Sequence, residues 1–198
     1  MADYSTVAVV KEYLGIPTGT TSEDAGITAA LAAAEDRIDK YCGRTFVVPD
    51  AATARSVAPW SYDVVILPAE LAQLTDLAVK TDTTDDGTFD TTLVAADYYA
   101  GPSDQAPFLE IRRVGGSWPR PASGRASVQV TGWYGYAMTV PAPVTQAATM
   151  LAARLYQRRS SPLGYQTGAS PEMGVIRISR IDPDIAALLT GYRKVAVA

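Results

Sequence analysis

Histidine is absent from this chain of 198 residues, and cysteine occurs once, as Cys42. Without histidine the commonest general base and the commonest zinc ligand are missing, which excludes Ser-His-Asp, Cys-His and His-metal chemistry. A single cysteine cannot form an intramolecular disulfide, and it also excludes zinc ribbons and iron–sulfur clusters. These absences argue against an enzyme, and no cofactor is expected. A histidine-free enzyme that uses carboxylates stays open as an alternative, although the sequence shows no paired acids in a shared apolar surround.

Long apolar runs are also missing. No run approaches 18 apolar residues, so the sequence predicts no membrane-spanning helix and no membrane partner. The first residues lack the basic start and apolar stretch of a signal peptide, and none is expected. Hydrophobic residues make up 47% of the chain and charged residues 19%, which is typical of a folded protein. The length fits one domain with an insertion, or two small domains.

Charge is distributed unevenly along the chain. The net charge of −4 argues against a dedicated nucleic-acid binder, whose surface usually carries a basic patch. Residues 1–140 carry 10 Lys/Arg and 18 Asp/Glu, whereas residues 141–198 carry 7 and 3. An acidic part and a basic part can bind each other in neighbouring copies, or the basic part can bind an acidic partner. The alternative is chance combined with ordinary arginines at helix ends.

Helical periodicity appears at both ends of the chain. Apolar residues recur at i, i+4, i+7 and i+11 in residues 21–43 and again in residues 141–159. The first of these runs opens on a capping pattern at Thr21, with acidic residues following, and closes on Gly43. A shorter helix is predicted over 5–14. Another follows Asp182-Pro183, which suits an N-cap and first helical position.

Between these helices, residues 45–140 have the pattern of a β-rich insertion. Short runs of β-branched and aromatic residues alternate with Pro, Gly and Asp clusters, and Asp85-Asp86-Gly87 predicts a hairpin turn. Trp118 is predicted to anchor the loop 114–124. Strands are predicted at 55–58, 64–67, 74–80, 89–94, 109–113 and 127–133.

The predicted fold class is α+β. A small helical bundle is expected from an N-terminal helix pair, a long helix near 142–159 and a short C-terminal helix, with the β-rich insertion between helices 2 and 3. We predict a helical core of residues 1–44 and 141–198, which includes a C-terminal extension, and the insertion at 45–140, all in one structural unit. Within the extension, residues 160–174 look irregular and residues 175–181 alternate like a strand.

Residues 82–90 carry the most metal-like pattern. Asp82, Asp86 and Asp90 occupy positions 1, 5 and 9 of a calcium-type loop with glycine at position 6. Position 12, which needs a bidentate glutamate, is Leu93. We therefore expect a solvated acidic hairpin tip and no metal. These three aspartates are the candidate metal ligands of the alternative function, a metal- or ligand-binding β-module with helical flanks.

Two further clusters have competing interpretations. Arg154 and Arg158 share a helix face and Arg159 is adjacent, so the three either cap the helix or contact an acidic partner. The spacing does not separate these two interpretations. Residues 132–136, Gly-Trp-Tyr-Gly-Tyr, could stack on bases, but they lack an interleaved basic track, and a packed corner is favoured.

The assembled pattern resembles the head-to-tail connector (adaptor) proteins of tailed double-stranded DNA bacteriophages. The N-terminal likeness lies in TVAVVKEYLGIP and TTSEDAGITAALAAAEDRIDKYCGRTF, a short helix, a turn and an alanine-rich helix. The stretch VQVTGWYGYAMTVPAPVTQAATMLAARLYQRRSSPLG is similar to the β-insert members from phages of actinobacteria, and RISRIDPDIAALLTGYRK matches in type. The likeness spans nearly the whole chain, and residues 46–126 are its least distinctive part.

This resemblance implies a non-enzymatic virion protein at the head–tail interface, assembled in the host cytoplasm. Such proteins form a ring, usually of twelve copies, beneath the portal protein. Their ring extends the channel through which double-stranded DNA passes without sequence readout, and it receives the stopper or other tail completion proteins. The segment after the last long helix often reaches the portal in this family. The partner-interface residues expected from these considerations are Arg154, Arg158, Arg159, Leu163, Tyr165, Arg177, Arg180, Tyr192 and Arg193.

Overall fold

The computed structural model describes residues 4–160 and 182–194. Its class is α+β, as predicted, with a β-rich region between the second and third helices. The described residues group into two compact units. Residues 44–139 form the sheet unit, and residues 4–43, 140–160 and 182–194 form the helical unit. The prediction that all parts make one structural unit stays a prediction.

The helical unit is built from α1 (Val7–Leu14), α2 (Asp24–Cys42), α3 (Ala142–Gln157) and α4 (Pro183–Leu189). Alanines on the facing stripes let these helices approach closely, while larger apolar residues fill the remaining space. Within the part of the chain that the structure describes, every helix is too short or too polar for a transmembrane span. The buried cluster of α1, α2 and α3 comprises Val10, Ile27, Ala30, Leu31, Ala34, Ala152, Ala153 and Tyr156.

The helix ends confirm some of the predicted caps and correct others. Gly43 ends α2 with φ 68°, as expected, because glycine adopts this left-handed conformation without steric cost. Asp182 caps α4 and accepts a hydrogen bond from the Asp184 amide, 3.0 Å long. The predicted start of α1 at residue 5 was two residues early, because Thr6 takes the N-cap position. The predicted end of α3 at residue 159 was late, since a 3₁₀ turn follows Gln157.

The capping pattern predicted at Thr21 is wrong. Residues Thr21–Glu23 form a single 3₁₀ turn, and α2 starts at Asp24 without a side-chain cap. The Glu23 carboxylate accepts hydrogen bonds from side chains at the end of α3. Asp24, the acid three positions after Thr21, pairs with Lys11 of α1. Both acids of the predicted helix start therefore make tertiary contacts.

The sheet unit contains the strands β1 (Thr53–Val57), β2 (Val64–Thr81), β3 (Thr91–Thr92), β4 (Tyr98–Gly101), β5 (Phe108–Arg113) and β6 (Val128–Tyr134). All pairs are antiparallel, the strand order is β1-β6-β2-β5-β4, and β3 pairs with β2 off this path. The core is lined by Val65, Leu71, Phe108, Ile111, Trp118, Val130 and Tyr134, among others.

Strand β2 differs most from the prediction. Two strands were expected at 64–67 and 74–80, but one strand of 18 residues runs through both. It pairs with β5 in its first half and with β6 in its second, and its register shifts where it changes partner. Asp76, at φ 59°, lies in the irregular part. Such irregularities bend a strand. The bend lets β2 pair with β5 in one part and with β6 in the other.

Strands β3 and β4 also differ from the predicted strands. The predicted strand 89–94 shrinks to β3, two residues that pair with the end of β2. The residues between these two strands include Asp85, Asp86 and Gly87, and the predicted hairpin is confirmed. Strand β4 was missed, because its four residues are too short to show alternation between the 3₁₀ turn before it and Pro102 after it.

Two predicted packing features are confirmed. Trp118 is 2% exposed, and its Nε1 donates to the carbonyl of Asp63 at 2.7 Å. At residues 132–136 the chain makes a packed corner. A methyl group added at Gly135 would lie 2.7 Å from Cγ1 of Val48 and 2.9 Å from the Val47 carbonyl oxygen. The Gly135 amide donates to the carbonyl of Glu70 at 2.8 Å.

Candidate functional site

The end of α3 carries the three arginines of the sequence pattern, and the structure gives each a different environment. Arg154 forms an ion pair with Asp182, the residue that caps α4. The Asp182 side chain is 11% exposed. Its carboxylate accepts a hydrogen bond from the Asp184 amide in the helix it caps and pairs with Arg154 of the neighbouring helix. Arg154 therefore joins the last turn of α3 to the first turn of α4.

Arg159 belongs to a compact cluster with Glu23 and Tyr156. The Glu23 carboxylate accepts a hydrogen bond from the Tyr156 hydroxyl and pairs with the Arg159 guanidinium. The same guanidinium lies over the Tyr156 ring, 4.0 Å from its centroid, which adds a cation–π contact. Gly26 makes room for this cluster, because a Cβ there would lie 3.1 Å from Cε2 of Tyr156.

The electrostatics of this cluster follow from its contacts. The hydrogen bond from Tyr156, then that from Arg159, holds the pKa of Glu23 below its ordinary value, because both bonds favour the charged carboxylate. Burial raises the pKa of Tyr156, and the hydrogen bond to Glu23 raises it further. At neutral pH the cluster therefore contains a carboxylate, a neutral phenol and a guanidinium.

We expect the contribution of Glu23 to stability to depend on pH. Its folded-state pKa lies below the ordinary value of 4.5, so the contribution is complete above that value and is lost as the pH falls through the folded-state pKa. Denaturant unfolding of the wild type and Glu23→Gln between about pH 3 and pH 7 tests this linkage. The wild type should be the more stable at pH 7, and the difference should shrink towards pH 3. A difference that does not change with pH would contradict the assignment.

Arg158 remains exposed between these two tethered arginines. Among residues 4–160 and 182–194 it makes no ion pair, whereas Arg154 and Arg159 each make one. A 3₁₀ turn begins at this residue, where the carbonyl groups at the end of α3 favour positive charge. All three arginines are exposed, and Arg158 is the one to which the described residues supply no ion-pair partner.

The C-terminal residues predicted for the interface are only partly described. Arg193 lies over the ring of Tyr41, 5.0 Å from its centroid, at the end of α2. Tyr192 is half-buried in the 3₁₀ turn after α4. The Lys194 amide donates to the carbonyl of Cys42 at 2.7 Å. The predicted strand 175–181 and the candidates Leu163, Tyr165, Arg177 and Arg180 lie outside the described residues.

The acidic loop 82–90 uses its carboxylates for its own backbone. Asp82 is 1% exposed and accepts amide hydrogen bonds from Thr84, Asp85 and Gly87, at 3.1, 2.9 and 2.8 Å. Burial alone raises the pKa of Asp82, but these bonds outweigh it and the pKa is lowered. Within the described residues, no group of three or more His, Cys, Asp or Glu side chains is placed to hold a metal ion. Asp82 therefore shapes the loop.

A second surface, on the outer face of the sheet unit, was not found from the sequence. In the sheet, Arg112 of β5 lies between Val64 of β2 and Tyr99 of β4. Two residues further along β2, Ile66 lies opposite Glu110. Backbone hydrogen bonds from Arg113 to Asp63 and from Val114 to Asp97 continue the same pairing. Alternate side chains of a strand lie on the same face, so Ile66 and Tyr99 share one face with Arg112. Tyr62 precedes β2 by two residues, and Val114 directly follows β5.

Trp60 lies in the turn that leads into β2, where its amide donates to the Val64 carbonyl at 2.9 Å. The exposed fractions are 74% for Trp60, 67% for Tyr62, 53% for Tyr99, 49% for Val114 and 46% for Ile66. We call these five residues the aromatic patch. An exposed group of large apolar side chains often marks a contact site. The sequence shows the residue types, and the strand pairing with the flanking backbone bonds shows that their chain segments are neighbours.

The whole chain is similar to chains of gene transfer agent (GTA) particles. A chain in the neck of an empty GTA particle, computed with C6 symmetry, matches with a TM-score of 0.61 and 25% identity over 97% of this chain and 90% of that chain. A chain in the neck of a native GTA particle, computed with C12 symmetry, matches with a TM-score of 0.56, 21% identity and coverages of 100% and 95%. A chain from the virion of a native GTA particle gives 0.56, 22%, 100% and 96%. No protein-family model and no curated protein matches the chain.

Proposed function

We propose that this chain is a non-enzymatic structural protein of a virion neck, a head-to-tail adaptor of the β-insert type. The observation that carries the proposal is the match to the GTA neck chain, which covers 97% of this chain at 25% identity. A match of that extent includes both the helical unit and the sheet unit. The α+β fold with its β-rich region between α2 and α3 agrees with the connector pattern in the sequence.

In this proposal the protein acts as a ring, and twelve copies are the expected number. Similar chains occur in necks computed with C6 and C12 symmetry, and both symmetries are compatible with twelve subunits. The ring would lie beneath the portal protein, extend the channel for double-stranded DNA without sequence readout, and receive a stopper or another tail completion protein. No catalytic step is required of any residue, because the function consists of binding and enclosure.

The end of α3 is the proposed contact with the portal protein. Arg158 is exposed there, and the chain beyond it contributes the further candidates Leu163, Tyr165, Arg177 and Arg180. Arg154 and Arg159 have internal partners, so their first role is to fix α3 against α4 and against the start of α2. Such fixed surroundings reduce the ordering cost when an exposed cation binds an acidic partner.

We expect Arg158→Ala to weaken capture by the portal protein by a factor of about 5–10, the effect of losing one favourable interfacial charge contact. The free energy of unfolding should change by less than about 0.5 kcal/mol, because the side chain is exposed and unpaired within the described residues. Arg37→Ala on α2 is the matched control, since it removes the same charge from another exposed position. Equal loss of capture in both variants would contradict a specific role for Arg158.

Arg154→Ala separates folding from assembly. It removes the partner of Asp182, and we expect it to lower the free energy of unfolding by about 0.5–1 kcal/mol, the usual range for a partly exposed ion pair. Thermal unfolding checks this value. A variant that weakens assembly with no loss of stability would instead place Arg154 in the partner interface.

The proposed function itself is tested by particle mass. The purified chain is measured over a range of concentrations, alone and with the portal protein encoded in the same genome. A defined ring, free or on the portal, is the expected result. A chain that stays monomeric at high concentration and also fails to bind that portal protein would refute the adaptor function.

A further inference from the structure

A closed ring requires each copy to present two different surfaces. In a head-to-tail contact, one patch of the first copy meets a different patch of the second, and the same contact repeats until the ring closes. If the protein acts as the proposed ring, two complementary exposed surfaces must therefore exist on one chain. Large exposed apolar side chains indicate such surfaces, because side chains of this kind dominate the centres of protein interfaces.

The aromatic patch has the composition of one such surface. It combines a tryptophan and two tyrosines with arginines at its margin, the residue types that contribute most to binding energy. An aromatic side chain buries about 150–250 Å², so Trp60, Tyr62 and Tyr99 at their exposed fractions supply roughly 400 Å². A standard interface needs about 800 Å² from each partner, and the three aromatics thus provide about half of one side.

The helical unit offers one matching surface. Among its described residues, the exposed large apolar side chains are Val9, at 41%, and Tyr13, at 53%, both on α1. Their i, i+4 spacing places them on one face, the arrangement with which helices dock into apolar surfaces. The opposite side of α1 is already used, because Val10 is fully buried and Lys11 is 3% exposed. Glu12, next to Tyr13, is exposed and carries the negative charge of this face.

Two arginines lie beside the aromatic patch. Arg112 lies between Val64 and Tyr99 and is paired with Glu110 at 2.6 Å. Arg120 donates to the Trp60 carbonyl at 2.9 Å, which holds its guanidinium at the margin of the patch. Arg113 points to the other face, 5.7 Å from the centroid of the buried Trp118 ring. An incoming Glu12 would meet the Arg120 guanidinium at the margin of an apolar centre, the usual arrangement of a polar rim around an interface core.

We propose that the aromatic patch of one copy binds the Val9–Tyr13 face of α1 in the next copy, and that this contact closes the ring. This inference rests on the proposed function and adds the residues that join the subunits. Trp60 and Tyr62 provide the apolar surface. Tyr13 and Val9 pack on it, and Glu12 pairs with the arginines at its margin.

The contact is tested by cross-linking between two differently labelled copies. One chain carries Tyr13→Cys and the other Trp60→Cys, both with Cys42→Ala, and the two are mixed under assembling conditions with a short bismaleimide. Cross-linked heterodimers are expected, because each product must join two chains. A chain with both cysteines should give a ladder of multimers. The matched control replaces Trp60→Cys with Leu74→Cys, an exposed position on another part of β2, and should give neither product.

Assembly measurements give a second readout. Trp60→Ala with Tyr62→Ala should raise the concentration needed for assembly at least tenfold, the effect of removing two interface anchors. Leu74→Ala should change it by less than about twofold. Both variants should melt like the wild type, since these side chains are largely exposed. If the wild type assembles but neither the cross-link nor the loss of assembly appears, this contact is wrong and the adaptor function stands. If the wild type never assembles, alone or with the portal protein, both proposals fail.

Discussion

Replacing Trp118 with alanine is expected to lower the free energy of unfolding of the sheet unit by about 3–5 kcal/mol. Trp118 is 2% exposed, so the substitution leaves a large cavity in the core. It also removes the 2.7 Å hydrogen bond from Nε1 to the Asp63 carbonyl, and that carbonyl loses a partner at the start of β2. The Arg113 guanidinium, 5.7 Å from the indole centroid, loses a cation–π contact.

Trp60→Ala is the matched control for this prediction. Trp60 is 74% exposed, so the same chemical change should alter the free energy of unfolding by no more than about 0.5 kcal/mol. All three tryptophans of the chain lie in residues 44–139, and tryptophan fluorescence therefore reports on the sheet unit. Similar unfolding midpoints for the two variants would show that Trp118 does not anchor the core.

Gly135→Ala is expected to destabilise the sheet unit by about 1–3 kcal/mol, although it adds a single methyl group. The new Cβ would lie 2.7 Å from Cγ1 of Val48 and 2.9 Å from the carbonyl oxygen of Val47. A side chain can rotate away, but the carbonyl belongs to the backbone and moves only with its chain segment. The corner that Gly135 forms would have to open, and its 2.8 Å hydrogen bond to Glu70 would weaken.

Gly19→Ala is the corresponding control. A Cβ at Gly19 meets nothing within 4 Å, and no left-handed backbone conformation opposes it. Its effect should lie within about 0.5 kcal/mol of zero. Thermal unfolding of both variants gives the comparison. A Gly135→Ala protein as stable as Gly19→Ala would mean that the corner relaxes without cost.

The helices could be predicted from the sequence because their information is local. The apolar stripe of α2 repeats at helical spacing, and Gly43 supplies the left-handed residue that ends it. The same holds for the Asp182-Pro183 start of α4. Periodicity and caps depend on residues a few positions apart, and no knowledge of the rest of the fold is needed.

The course of β2 could not be predicted, because it depends on which strands it pairs with. Its middle residues do not alternate between apolar and polar side chains, so the sequence alone predicts a gap between two strands. The strand continues because β6 takes over as partner where β5 ends. β-Structure is set by such non-local pairing more than by intrinsic preference.

The candidate sites show the same limit. The sequence placed Arg154, Arg158 and Arg159 together but did not separate capping from binding. The partners that distinguish them, Glu23 and Asp182, are 136 and 28 positions away from the arginines they bind. The aromatic patch was missed for a related reason. Ile66 and Tyr99 are far apart in sequence, and only the pairing of β2, β5 and β4 brings them to one face.

The ion pair between Arg154 and Asp182 has a consequence for the substitutions that the helical unit can accept. The Asp182 carboxylate accepts the Asp184 amide at the start of α4 and also pairs with Arg154 at the end of α3. Asparagine at position 182 could keep the cap but would lose the ion pair. The start of one helix and its attachment to another therefore depend on the charge of a single side chain.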